Sequence, residues 1–113
     1  MRTDGKNLEY QQLLDAYGGL LTDHQRDICE LYYMYDLSLT EIAEQKGVSK
    51  QSVSDMLAKS RMLLDGYEQK LHIVQAAQRE EAAAEKLSEL SEKHPALAEE
   101  IAAIAALLKG ESL

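Results

Sequence analysis

The chain has 113 residues, of which 45% are hydrophobic but only 5% aromatic, and its 12 basic and 20 acidic side chains leave a net charge of −8. That length holds one compact domain with an appendage and excludes a two-domain catalytic machine. With no Trp or Phe, few β-branched residues and abundant Ala, Leu, Glu, Lys and Gln, the composition predicts an all-α protein.

Residues 7–20 read as a first helix whose apolar side is Leu13, Leu14 and Tyr17, ended by the pair Gly18 and Gly19 or continuing weakly through it. Thr22 and Gln25 form a capping box, which starts a second helix over 23–35 with Ile28, Leu31, Tyr32 and Tyr35 as its buried stripe. Asp36 to Ser38 is a short connection.

The most specific pattern follows. Ser38 and Glu41 are an S-x-x-E capping box: the hydroxyl accepts from the amide three residues on, and the carboxylate reaches back to the Ser38 amide. Leu39, Ile42 and Ala43 then share one helix face, and Ala43 is small where a second helix must cross closely. Gly47 permits a positive φ at the turn, and Val48 and Ser49 lead into the next helix, with Ser49 as its cap. Val53 and Leu57 face back toward the first helix. A helix, a tight turn and a second helix with a polar outer face is the helix-turn-helix plan.

From Lys50 the helical pattern meets no breaker through Leu64, past Gly66 and on to Leu71 and Val74, so the recognition helix is expected to be unusually long. Composition shifts at Gln75 into an Ala/Glu-rich stretch with a thin apolar seam at Leu87 and Leu90. Pro95 stops that helix and serves as the first residue of the next. There Leu97, Ile101, Ile104 and Leu108 form one sticky face, a candidate partner interface that packs in cis or on a second chain. The expected division is therefore residues 1–72 as a helix-turn-helix domain and 73–113 as a helical extension.

Enzymatic and cofactor readings find no support: there is no Gly-rich phosphate loop and no catalytic triad context. The single Cys29 reads as a small core residue, and it makes no metal-ligand spacing with His24, His72 and His94. No catalytic residue, cofactor or metal is expected. No long apolar run exists and the first ten residues are too polar for a signal peptide, so a cytoplasmic location is expected.

Charge is unevenly spread. Residues 37–72 carry five basic and five acidic groups, a neutral segment in an otherwise acidic chain. A dedicated high-affinity DNA binder shows a basic surface, because phosphate neutralisation and counterion release supply much of its affinity.

The stretch LTDHQRDICELYYMYDLSLTEIAEQKGVSKQSVSDMLAKSRMLL resembles the promoter-reading helix-turn-helix region of bacterial sigma factors, region 4. Tyr17, residues 21–25, 30–33, 38–43 and 47–50, Val53 and the Tyr67 to His72 segment are more similar to the YlxM family, small bacterial helix-turn-helix proteins commonly encoded beside the signal recognition particle GTPase. That resemblance implies a role in the signal recognition particle pathway, with the particle's RNA or its GTPase as partner.

The sequence departs from the sigma pattern on the outward face, where Ser54, Asp55 and Met56 stand at positions that tend to be basic. Candidate nucleic-acid contacts are Lys46, Lys50, Gln51, Ser54, Lys59 and Arg61: lysine and arginine for phosphate, the Gln51 amide for adenine. Lys46 is also placed to lie along the core edge, and Asp55 repels phosphate while able to accept from a cytosine amino group. An ordinary solvated helix face is the competing reading for these residues. Three functions follow: a regulatory protein of the signal recognition particle pathway, a DNA-binding transcriptional regulator, or a protein adaptor using the motif as scaffold. The extra apolar surface on the long helix and the extension favours a homodimer.

Overall fold

Leu13, Leu14 and Tyr17 lie on one side of the first helix, α1 (Gly5–Tyr17), and bury it against the rest of the domain. Described over residues 5–110, the computed structural model is helical throughout, with no strand among those residues. The outermost residues of both expected segments, 1–4 and 111–113, lie outside them. The chain divides into two compact units, Met1–Val74 and Gln75–Leu113.

In the first unit α1 ends in a tight 3-10 turn, Gly18–Leu20, and α2 (Asp23–Cys29) starts at Thr22, whose hydroxyl accepts from the Gln25 amide at 3.1 Å. The expected second helix does not continue as α-helix. It widens into a π turn over Glu30–Met34, closed by the Tyr35 N–H donating to the Glu30 carbonyl at 3.0 Å. One extra residue in the turn rotates everything after it. Tyr33 is therefore the buried ring, while Tyr32 and Leu31 are half-buried and Tyr35, expected inside, is 70% exposed. Tyr32 packs edge-on against Tyr33, with ring centroids 4.9 Å apart.

Helix α3 (Leu39–Lys46) and helix α4 (Lys50–Leu71) are the helix-turn-helix pair. Ser38 accepts from the Glu41 amide at 3.0 Å, and Glu41 accepts from the Ser38 amide at 2.9 Å. Gly47 sits at φ 68°, and the Val48 amide donates back to Ala43 at 3.0 Å, closing the end of α3. Ile42, Ala43, Val53, Leu57 and Leu64 join Leu13, Tyr17, Ile28 and Cys29 in one core cluster.

The long helix expected to run beyond Leu71 breaks there. His72 takes the left-handed conformation at φ 54°, and α5 (Ile73–Lys93) begins anew. Neither Gly nor Pro marks the break, because its cause lies elsewhere in the chain. The Ile73 N–H donates to the Tyr17 hydroxyl at 3.0 Å and the Val74 N–H to the Glu68 carboxylate at 3.0 Å, while Tyr17 donates to the same carboxylate at 2.5 Å. The orphan amides of the first turn of α5 are thus capped by side chains from α1 and α4.

In the second unit Pro95 opens a 3-10 turn, Pro95–Leu97, that leads into α6 (Ala98–Leu108). Of the expected stripe, Ile101 is buried, Leu108 is half-buried, and Leu97 and Ile104 are exposed.

Candidate nucleic-acid interface

Helix α4 begins at a capped N-terminus: the Ser49 hydroxyl accepts from the Ser52 amide at 3.0 Å. With Val53 and Leu57 fully committed to the core, the opposite side of its first three turns faces outward. Lys50, Gln51 and Lys59 are exposed there and Ser54 is half-buried.

Two of the four expected basic contacts are engaged with the protein itself. Lys46 is half-buried and ion-paired with Asp27 of α2, which leaves its charge compensated. Arg61 is half-buried and donates to the Tyr33 hydroxyl at 3.1 Å, a bond that raises its already high pKa. Burial raises the pKa of Tyr33 in turn, so the phenol stays neutral beside the guanidinium. A continuous basic strip through Lys46, Lys50, Lys59 and Arg61 is consequently not what the fold presents.

What it presents is a bracketed edge. Nine residues separate Lys50 from Lys59, two and a half turns, which places them roughly 14 Å apart along the axis and on opposite sides of α4. Between them runs an outer edge made by Gln51 and Asp55, and one heptad beyond Asp55, past Lys59, stands Met62, which is 75% exposed. The Gln51 amide nitrogen donates to the Asp55 carboxylate at 2.9 Å. That bond leaves the Gln51 carbonyl and the second Asp55 oxygen as acceptors, so the edge as it stands is matched to donors such as an exocyclic amino group. Met62 was not anticipated at this surface, although its spacing of seven from Asp55 is the signal that places it there.

The aromatic cluster behind Arg61 is packing. Tyr10 stacks on Tyr33 at 5.4 Å and donates to Asp65 at 2.9 Å. Partial burial, and then the Asp65 bond, push the Tyr10 phenol up to about 12. Cys29 is fully buried, and burial pushes its thiol up, which fits the core reading.

Residues 5–104 match the model of the UPF0122 family, described as "Putative helix-turn-helix protein, YlxM / p13 like". Among curated relatives, all with the name UPF0122 protein, one from Streptococcus gordonii is 40% identical over 98 residues, covering 84% of this chain and 86% of its own. One from Bacillus cereus is 38% identical over 96 residues, covering 85% and 87%. Two from Clostridium kluyveri are 51% identical over 63 residues, and the match spans little more than half of their length, 57%.

Proposed function

From the premise that the chain belongs to the YlxM/p13-like helix-turn-helix family, we propose that it is a regulatory protein that engages nucleic acid through the outward edge of α4. Lys50 and Lys59 contact phosphates on either side of a groove, and Gln51 and Ser54 meet base edges. The observation that supports this most is the bracketed edge: a capped helix on which the exposed Lys50 and Lys59 flank Gln51 and Asp55. With only two such lysines, affinity is modest and a second contact elsewhere on the assembly supplies the rest.

The chain's resemblance to a family commonly encoded beside the signal recognition particle GTPase makes that particle's RNA the first target of this reading. The expected site is a loop, bulge or end, since the major groove of regular A-form RNA is too narrow for a helix. Fluorescence anisotropy with the particle's RNA, its GTPase and duplex DNA tests it. Binding to the RNA that weakens in Lys50→Ala and Lys59→Ala supports the reading, and failure to bind any nucleic acid overturns it.

The width of the bracket favours one alternative, a DNA-binding transcriptional regulator, because a B-form major groove of about 12 Å accepts a helix flanked in this way. That reading requires a homodimer with two α4 helices about 34 Å apart. Leu97, just ahead of α6, and Ile104 and Leu107 on it are exposed and open to a second copy. A monomer in sedimentation at tens of micromolar, with no dimer on operator DNA, removes this alternative.

A further inference from the structure

The second unit, Gln75–Leu113, has a surface that the nucleic-acid reading does not use. Its described residues, 75–110, form a helical hairpin in which Ile101 alone is buried. Units below about 40 residues rarely complete a core by themselves. Along one flank of the hairpin run two adjoining grooves of about 470 and 250 Å³, sharing Ala84, Ser88 and Lys109. Small residues make up much of their lining, Ala84 on α5 and Ala98, Ala102 and Ala105 on α6, beside Leu87 and Ile101.

Small floors admit the close approach of a third helix carrying large side chains, as in bundle packing. The rim states what kind of helix. Glu80, Glu81 and Glu85 of α5 line the longer groove, opposed by the single cation Lys109 at one end. At helical spacing Arg79, Lys86 and Lys93 fall on other sides of α5, so the groove side is acidic beyond the chain's average. A polyanion is repelled by such a rim, and so is a second copy of this acidic chain presenting the same face.

We infer that the α5–α6 groove is a docking site for a basic amphipathic helix of a partner protein, whose apolar stripe fills the alanine floor while its lysines or arginines pair with Glu80, Glu81 and Glu85. This is a helix-in-groove interface read by i, i+3, i+4 and i+7 anchors. The site stands independently of the nucleic-acid reading, because it shares no residue with the edge of α4.

The test uses the full chain and two labelled 20-residue model peptides with Leu at i, i+3, i+4 and i+7, one with Lys and one with Glu at the remaining positions. The Lys peptide is expected to bind at micromolar concentration and the Glu peptide at least tenfold more weakly. Ala102→Phe fills the floor without changing charge, and is expected to weaken the Lys peptide at least tenfold with helicity by circular dichroism intact. Undiminished binding to that variant means diffuse charge attraction and overturns the proposal. If the variant loses helicity, amide chemical-shift mapping on the unmodified chain decides. Shifts confined to residues 77–109 support the proposal, and shifts on the first unit, or none, overturn it. A dimer in sedimentation that the Lys peptide does not dissociate and that protects the groove also overturns it, by assigning the surface to a second copy.

Discussion

Arg61 and Lys46 show how a side chain's chemistry is decided by residues far away in sequence. Both are long, basic and half-buried, and both are spoken for: Arg61 by Tyr33, 28 positions earlier, and Lys46 by Asp27, 19 positions earlier. Residue type and spacing therefore overstate the basic surface, while Lys50, Gln51 and Lys59 lie outward as their spacing indicates. Tyr17 is the converse case, a core residue whose hydroxyl has structural consequences. It is 1% exposed, and Tyr17→Phe leaves the Ile73 amide and a Glu68 oxygen without that partner. The expected loss is about 1–3 kcal/mol in urea unfolding; a loss below about 0.5 would mean that water replaces the hydroxyl at no cost. Tyr10 makes a prediction about alkali. Its phenol is held up to about 12 in the fold by burial and then by Asp65, against the ordinary value of about 10 when unfolded. The proton is kept by both states below pH 10 and is lost first by the unfolded chain above it. Its contribution to stability is thus full below pH 10 and disappears as pH rises through 12. Urea midpoints measured from pH 8 to 12 should fall over that window, and less steeply in Tyr10→Phe.

At the scale of elements, what is local in the sequence could be read from it and what is imposed by packing could not. The two capping boxes, Thr22 with Gln25 and Ser38 with Glu41, and the Gly47 turn involve residues within a few positions of each other, and they lie where the pattern puts them. The π turn at Glu30–Met34 follows no local signal of comparable strength, and it moves burial from Tyr35 to Tyr33. The break at His72 is more remote still, since its caps come from α1 and α4. A left-handed residue with a Cβ costs about 1–2 kcal/mol. Because His72 is exposed, His72→Gly should stabilise the chain by up to about 1 kcal/mol once the greater freedom of unfolded Gly is deducted. Destabilisation in the same urea assay would show instead that the imidazole holds the joint. On the edge of α4, Asp55 both repels phosphate and occupies the Gln51 amide. Asp55→Ala should tighten nucleic-acid binding several-fold in anisotropy; unchanged or weaker binding would make the carboxylate a base contact.

For the molecule as a whole, a net charge of −8 bears on the proposed binding to nucleic acid. Two bracketing lysines neutralise about two phosphates, so the logarithm of affinity should fall with the logarithm of salt at a slope near −2 for duplex DNA. A slope steeper than about −4 would require basic residues beyond Lys50 and Lys59 at the interface. The family membership and the all-α class could be seen in the sequence because they rest on a long, contiguous pattern. The two grooves of the second unit could not, because alanines separated by a turn declare no shared floor until α5 and α6 are placed side by side.

The clasp of Tyr17 and Glu68 on the first turn of α5 also bears on the order in which the chain takes shape. Synthesis delivers α1 before α4 and α4 before α5, and the groups that start α5 are in position only after the first two have met. The first turn of α5 therefore gains these two caps only once α1 and α4 have met, so that joint closes after the contact between them.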